Sequence, residues 1–163
     1  MDYKFQDKIK DNSISIAIVY KKNEYHEAKT LKRMIENRYK NGIKAYKIDP
    51  ILVRYKNLKP INANIYYLFP ADSKDIAKVI AKANIDKAIT FSYLADDLKH
   101  GVMMSLNISK KIKPLLNLEA VSKHNITLRP MLINISTIFT NALKPSPKLL
   151  RLINIYKHKL FQV

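Results

Sequence analysis

Apolar side chains recur along this chain in two rhythms, and the switches between them outline its elements. Ser13–Tyr20, SISIAIVY, is β-branched and apolar between polar flanks, which predicts a buried strand. Glu24–Lys40 follows with Ala28, Leu31, Ile35 and Tyr39 on one helical face. Asn41-Gly42 closes that helix, because glycine enters the left-handed C′ conformation freely. Ile43–Ile48 predicts a second strand ended by Asp49-Pro50. Ile51–Asn62, with Pro60 and little periodicity, predicts mostly loop. Asn64–Phe69, NIYYLF, is the third strand.

Asp72 or Ser73 can cap a helix running to Ala83, whose inner face carries Ile76, Val79, Ile80 and Ala83. Ala88–Phe91 predicts a fourth strand, and Tyr93–His100 a short helix ended by Gly101. The order is then β-α-β-β-α-β-α, with continuously apolar strands that need cover on both faces. That pattern predicts a three-layer α/β sandwich around a mostly parallel sheet of five to six strands.

Gly101–Ile108 and Ile112–Leu116 are apolar runs joined by the polar Asn107–Lys111. A short polar loop between such runs predicts a β-hairpin, so one edge of the sheet, near 101–117, is expected to be antiparallel. Pro114 lacks an N–H and pushes its strand toward an edge or a bulge. Asn117 is placed to cap a helix from Leu118 to about His124, with Glu119 in the first turn where the helix dipole favours an anion. Pro130–Phe139 predicts another helix, proline being tolerated in its first turn. Lys144-Pro-Ser-Pro147 breaks the chain. Lys148–Leu160 resumes as an amphipathic helix, with Leu149, Ile153, Tyr156 and Leu160 opposite Lys148, Arg151 and Lys157. The expected organisation is one domain over 1–143 and a basic C-terminal helix over 144–163.

Charge changes this picture more than size does. The 163 residues carry a formal net charge of +17. Residues 101–163 hold ten of the thirty cations and a single acid, Glu119. Such a field favours nucleic acid, anionic lipid or an acidic protein face. Only five cations are arginine, at 33, 38, 54, 129 and 151, whereas base and phosphate readout leans on arginine's fork. No apolar run approaches the ~18 residues that span a bilayer. The opening MDYKFQDKIKDNS has no apolar core of a secretory signal, so a native N-terminus would mean the cytoplasm. Cysteine is absent, which excludes disulfides and thiolate metal sites.

Catalytic chemistry finds no support in the residues. With two glycines, Gly42 and Gly101, neither a Walker A loop nor a dinucleotide fingerprint exists. The four histidines show no HxxxH or HExxH spacing, and no GxSxG elbow is present. Asp96, Asp97 and His100 form the one compact acid-plus-imidazole cluster, and a solvated helix end explains them more simply than a bound ion. Ten tyrosines, some beside lysine, could stack single-stranded bases, but most fall on strands and helix faces where packing accounts for them. No cofactor or metal is expected. Contact with a partner or an anionic membrane surface is expected from the hairpin lysines Lys110, Lys111 and Lys113 and from Lys148, Arg151, Lys157 and Lys159 of the terminal helix.

The ordered series NIYYLF, a helix, AITFSYLADDLKHG, GVMMSLNI, KIKPLLN, LEAVSKHN and ITLRPMLINIS resembles the C-terminal half of the YfiR family of small periplasmic α/β proteins. NSISIAIVY matches the first sheet strand of that family, so the resemblance covers roughly residues 12–138. Gly101, Pro114 and Asn117 are the positions that carry the pattern. The chain departs from it in lacking the family's signal peptide, N-terminal helical segment and cysteines, and in having His100-Gly101 where members carry a glycine pair. The resemblance implies a non-catalytic periplasmic protein acting through protein–protein contacts near the inner membrane. The implied role is either regulation of a membrane signalling enzyme such as a diguanylate cyclase, or a scaffold subunit of an envelope complex such as a flagellar motor, with a homo-oligomer as a further option. The alternative is a nucleic-acid-binding protein driven by the +17 charge.

Overall fold

The computed structural model describes residue 9, residues 11–108, 112–124 and 126–140, and residue 147. Seven strands form one sheet: β1 (Ser13–Tyr20), β2 (Lys47–Arg54), β3 (Ile65–Leu68), β4 (Ile89–Ser92), β5 (Met104–Ile108), β6 (Ile112–Leu116) and β7 (Thr137–Ile138). Their order is β2-β1-β3-β4-β5-β6-β7. All neighbouring pairs are parallel except β5 and β6. Four helices join them: α1 (Tyr25–Arg38), α2 (Ser73–Asp86), α3 (Leu118–Lys123) and α4 (Pro130–Ile135).

The period-two alternation of the strands divides the core between two layers of cover. Ala17, Val19, Tyr66 and Leu68 pack with Ile76, Val79 and Ala83 of α2 on one face. Ile16, Ile18, Tyr20, Tyr67 and Phe69 gather with Ala28, Leu31 and Ile35 of α1 on the other. A third cluster joins Met103 and Leu116 to Leu118 and Val121 of α3, and to Ile126 and Leu128. The sheet is thus enclosed on both faces, as continuous apolar strands require.

The second strand, expected over Ile43–Ile48, runs instead over Lys47–Arg54. Ile43–Tyr46 is a tight turn, with Ile43 N–H donating to Tyr46 O at 2.8 Å and Tyr46 N–H donating back at 3.0 Å. The turn uses positive φ at Gly42 and Lys44, of 73° and 56°. The strand itself runs through Asp49-Pro50 and occupies what the sequence marks as loop. Pro50 is tolerated because β2 is an edge strand, with only β1 beside it. Ile51 and Val53 serve the α2 face and Leu52 the α1 face, so three apolar side chains outweigh the missing donor.

Two further corrections concern the other end of the sheet. The helix expected over Pro130–Phe139 stops at Ile135 and gives way to β7, which pairs with Leu115 and Leu116. The antiparallel pair is therefore one strand in from the edge, and the sheet has seven strands. Among the described residues Pro114 has no strand partner on the β7 side, because β7 pairs only with the two positions after it. The strand after Gly101 begins at Met104, and β4 and β5 share a single registered pair, Phe91 with Met104. Thr90 compensates: its buried Oγ1 accepts from Met103 N–H at 3.0 Å. The hairpin turn 109–111 and the terminal helix expected over 148–160 lie outside the described residues.

Candidate binding crevice at the strand ends

The order of the strands reverses between β1 and β3. The chain leaving β1 turns to α1 on one face, and the chain leaving β3 turns to α2 on the other. Such a divergence opens a crevice beyond the carboxyl ends of a parallel sheet. Lys21, just after β1, crosses this crevice to reach Asp72 at 3.2 Å. Asp72 caps α2 by accepting from Asp75 N–H at 2.9 Å. That donor, and then Lys21, hold the Asp72 carboxyl down at about 2. Tyr55, buried just after β2, donates its hydroxyl to Phe69 O at 2.6 Å and ties the ends of β2 and β3 together. Burial, and next the negative charge of Asp97, Glu24, Asp75 and Asp72, push that hydroxyl far above the ordinary tyrosine range.

The two sides of the crevice differ in chemistry. On the α1 side lies an apolar groove of about 420 Å³, floored by Tyr67, Phe69 and Pro70 and flanked by Leu31 and Tyr93. Tyr67 stacks on Phe91 with ring centroids 5.4 Å apart and meets Phe69 edge-on at 5.8 Å. Tyr93 is 53% exposed. Glu24 and Glu27 supply the polar rim, one on each side of the start of α1. On the α2 side a pocket of about 300 Å³ is lined by Lys21, Lys22, Arg54, Lys56 and Lys78, with Asp75 as its one acid.

Gly101, Pro114 and Asn117 sit in structural positions. Gly101 ends the 3-10 turn Ala95–His100 at φ 98°. Asn117 caps α3, its Oδ1 accepting from Ala120 N–H at 3.0 Å. Its amide donates to Leu98 O at 2.8 Å, so Gly101 and Asn117 line one polar pocket of about 270 Å³ with His100 and His124. Lys113 is exposed on β6, opposite Asn107. Lys110, Lys111, Lys148, Arg151, Lys157 and Lys159 lie outside the described residues. Asp96, Asp97 and His100 do not converge. Asp97 turns inward, accepting from Ser92 Oγ, while exposed Asp96 pairs with Lys99 at 2.7 Å. Among the described residues no group of three His, Cys, Asp or Glu side chains is disposed to hold a metal.

The aromatic groove escapes a sequence reading that assigns the tyrosines to packing. Its signal is the alternation itself: Tyr66 is fully buried, and Tyr67 therefore points to the opposite face. The cationic pocket escapes because its residues come from three separate segments.

No family model matches the sequence, and no curated protein matches it significantly. Solved structures do resemble it. A conserved domain protein from Vibrio cholerae O1 biovar El Tor superposes with a TM-score of 0.58 at 15% identity, over 86% of this chain and 61% of its own. The ABC domain in complex with L-Trp from Streptococcus pneumoniae superposes with a TM-score of 0.55 at 10% identity, over 84% of this chain and 58% of its own. The chain spans about three fifths of the length of each. At such identities the likeness shows the α/β fold.

Proposed function

We propose that this chain is a non-catalytic periplasmic binding protein that works through protein–protein contacts at the inner membrane. In this reading it is a structural or regulatory subunit of an envelope complex, as the resemblance to the YfiR family implies. The observation that carries the binding role is the open aromatic groove at the strand ends. An exposed apolar concavity rimmed by charge is the form that recognition sites take. Its chemistry suits a partner segment that inserts an aromatic or aliphatic side chain over Tyr67 and Phe69 and presents a nearby lysine or arginine to Glu24 and Glu27. The L-Trp complex of the pneumococcal neighbour lends support, since a related fold there holds an aromatic amino acid. The basic segment 144–163 adds attraction to an anionic membrane surface.

Site-specific photo-crosslinking tests this reading. A crosslinker at Tyr93 is expected to trap one inner-membrane protein, and Glu24→Lys with Glu27→Lys is expected to abolish the adduct. The same adduct from a crosslinker at exposed Ile85, near the amino end of β1 at the opposite edge of the sheet, would overturn it. Retention of the chain on DNA or RNA at ~0.15 M salt, steeply lost as salt rises, would favour the nucleic-acid alternative instead.

A further inference from the structure

The pocket on the α2 side of the crevice concentrates positive charge without balancing it. Five cations line it, against the single carboxylate of Asp75. Lys78 is satisfied by Asp75 at 2.7 Å, and Lys21 by Asp72 at 3.2 Å. Lys22, Arg54 and Lys56 make no ion pair among the described residues. They come from two different strand ends: Lys22 follows β1, whereas Arg54 closes β2 and Lys56 lies in the 3-10 turn after it. The register places Arg54 beside Tyr20, so the fold itself holds these cations at one spot. Tyr55, anchored to Phe69 O, forms a rigid aromatic wall behind them.

Three like charges held together are unfavourable unless something anionic visits them. We infer that this pocket binds a small molecule bearing a phosphate or pyrophosphate group. A carboxylate would offset one of the three charges, whereas a phosphate ester brings about −1.5 to −2 near neutral pH and more acceptor oxygens. Arginine's planar fork suits those oxygens, and the lysines act as point charges beside it. A pocket of about 300 Å³ admits the phosphate and part of the body that carries it. The half-buried Arg54 then fixes the phosphate against the strand ends, with Lys22 and Lys56 closing over it from the adjoining segments.

The site is separate from the aromatic groove, so the inference stands or falls apart from the protein–protein reading. Calorimetric titration of the full chain with inorganic pyrophosphate, and in parallel with inorganic phosphate, at ~0.15 M salt tests it. Pyrophosphate is expected to bind at one site and to raise the melting temperature. The double variant Arg54→Gln, Lys56→Gln is expected to bind about tenfold more weakly or worse, as loss of charge-assisted contacts requires. The double variant Lys40→Gln, Lys47→Gln removes the same net charge from exposed positions away from the pocket, and its affinity is expected to match the wild type. Equal weakening in both variants means only the general field of a +17 chain attracts the anion, and overturns the site. So does the absence of saturable binding. Should the Arg54, Lys56 variant misfold, Lys22→Gln alone carries the same comparison.

Discussion

Asn117 fastens two elements that are distant in the chain: its amide donates to Leu98 O at 2.8 Å, and its Oδ1 accepts from Ala120 N–H at 3.0 Å. One buried side chain thereby caps α3 and ties it to the 3-10 turn that precedes β5. Asn117→Ala removes both bonds and is expected to cost about 2–3 kcal/mol, combining a lost cap with a lost buried hydrogen bond. Asn117→Ser keeps an oxygen for Ala120 but is too short for Leu98, so about 1 kcal/mol is expected. Urea unfolding midpoints measure both. Equal midpoints for the two variants would show that the cap to Ala120 contributes nothing.

The two glycines differ in what surrounds them. Gly42 and Gly101 both take positive φ. A Cβ on Gly42 would lie 2.3 Å from Tyr46 O, which is backbone and cannot yield. At Gly101 the nearest obstacle is the flexible Ile80 Cδ1 at 3.5 Å, an ordinary contact. Gly101→Ala is expected to cost only the left-handed strain of about 1–2 kcal/mol. Gly42→Ala is expected to cost more, because the turn at Ile43–Tyr46 must open. Thermal melts of both variants decide the order.

Alkaline stability depends on Tyr66 and Tyr55. Burial, and then a hydrogen bond to the Asp86 carboxylate, keep the Tyr66 hydroxyl protonated well above the ordinary range. Its folded value is raised, so its contribution is complete below the unfolded value near 10 and is lost as pH climbs beyond it. The unfolded chain sheds the proton first, and each such tyrosine steepens the decline by about 1.4 kcal/mol per pH unit. Tyr66→Phe is expected to remove one share of that slope, and Lys82 still pairs with Asp86 at 2.7 Å. Urea midpoints between pH 8 and 11 test this; an unchanged slope rules the assignment out.

Tyr93 separates binding from stability. It is 53% exposed, so Tyr93→Ala is expected to change stability by no more than about 0.5 kcal/mol. Tyr66→Ala, in the core, is expected to lose about 3–5 kcal/mol. If the groove is the partner site, Tyr93→Ala reduces partner capture while its melting curve stays at wild type. A variant that melts early and captures normally reverses the assignment.

Residues 144–163 carry five cations and no acid. Each cation near an anionic bilayer is worth about 1 kcal/mol. Deleting the segment is therefore expected to reduce co-sedimentation with phosphatidylglycerol-containing vesicles by at least about tenfold. Undiminished sedimentation places the membrane attraction in the rest of the chain.

The sequence by itself determined the layer architecture, because strands buried on both faces leave an apolar run that no amphipathic helix imitates. β1, β3 and β6 fall where their runs fall, and Asp72 and Asn117 cap the helices their side-chain oxygens mark. What escaped it depended on neighbours. Pro50 reads as a strand end until the topology leaves β2 with one partner and no need for a second row of donors. Thr137 and Ile138 read as helix until Leu115 and Leu116 offer them an open ladder. The crevice needed the tertiary structure entirely. Its aromatic side gathers Leu31, Tyr67, Phe69 and Tyr93, and its cationic side Lys22, Arg54, Lys56 and Lys78, from strand ends and helices that meet only where the sheet reverses its order. Local pattern fixes which face a side chain takes; only the crossing of the chain decides which side chains share a pocket.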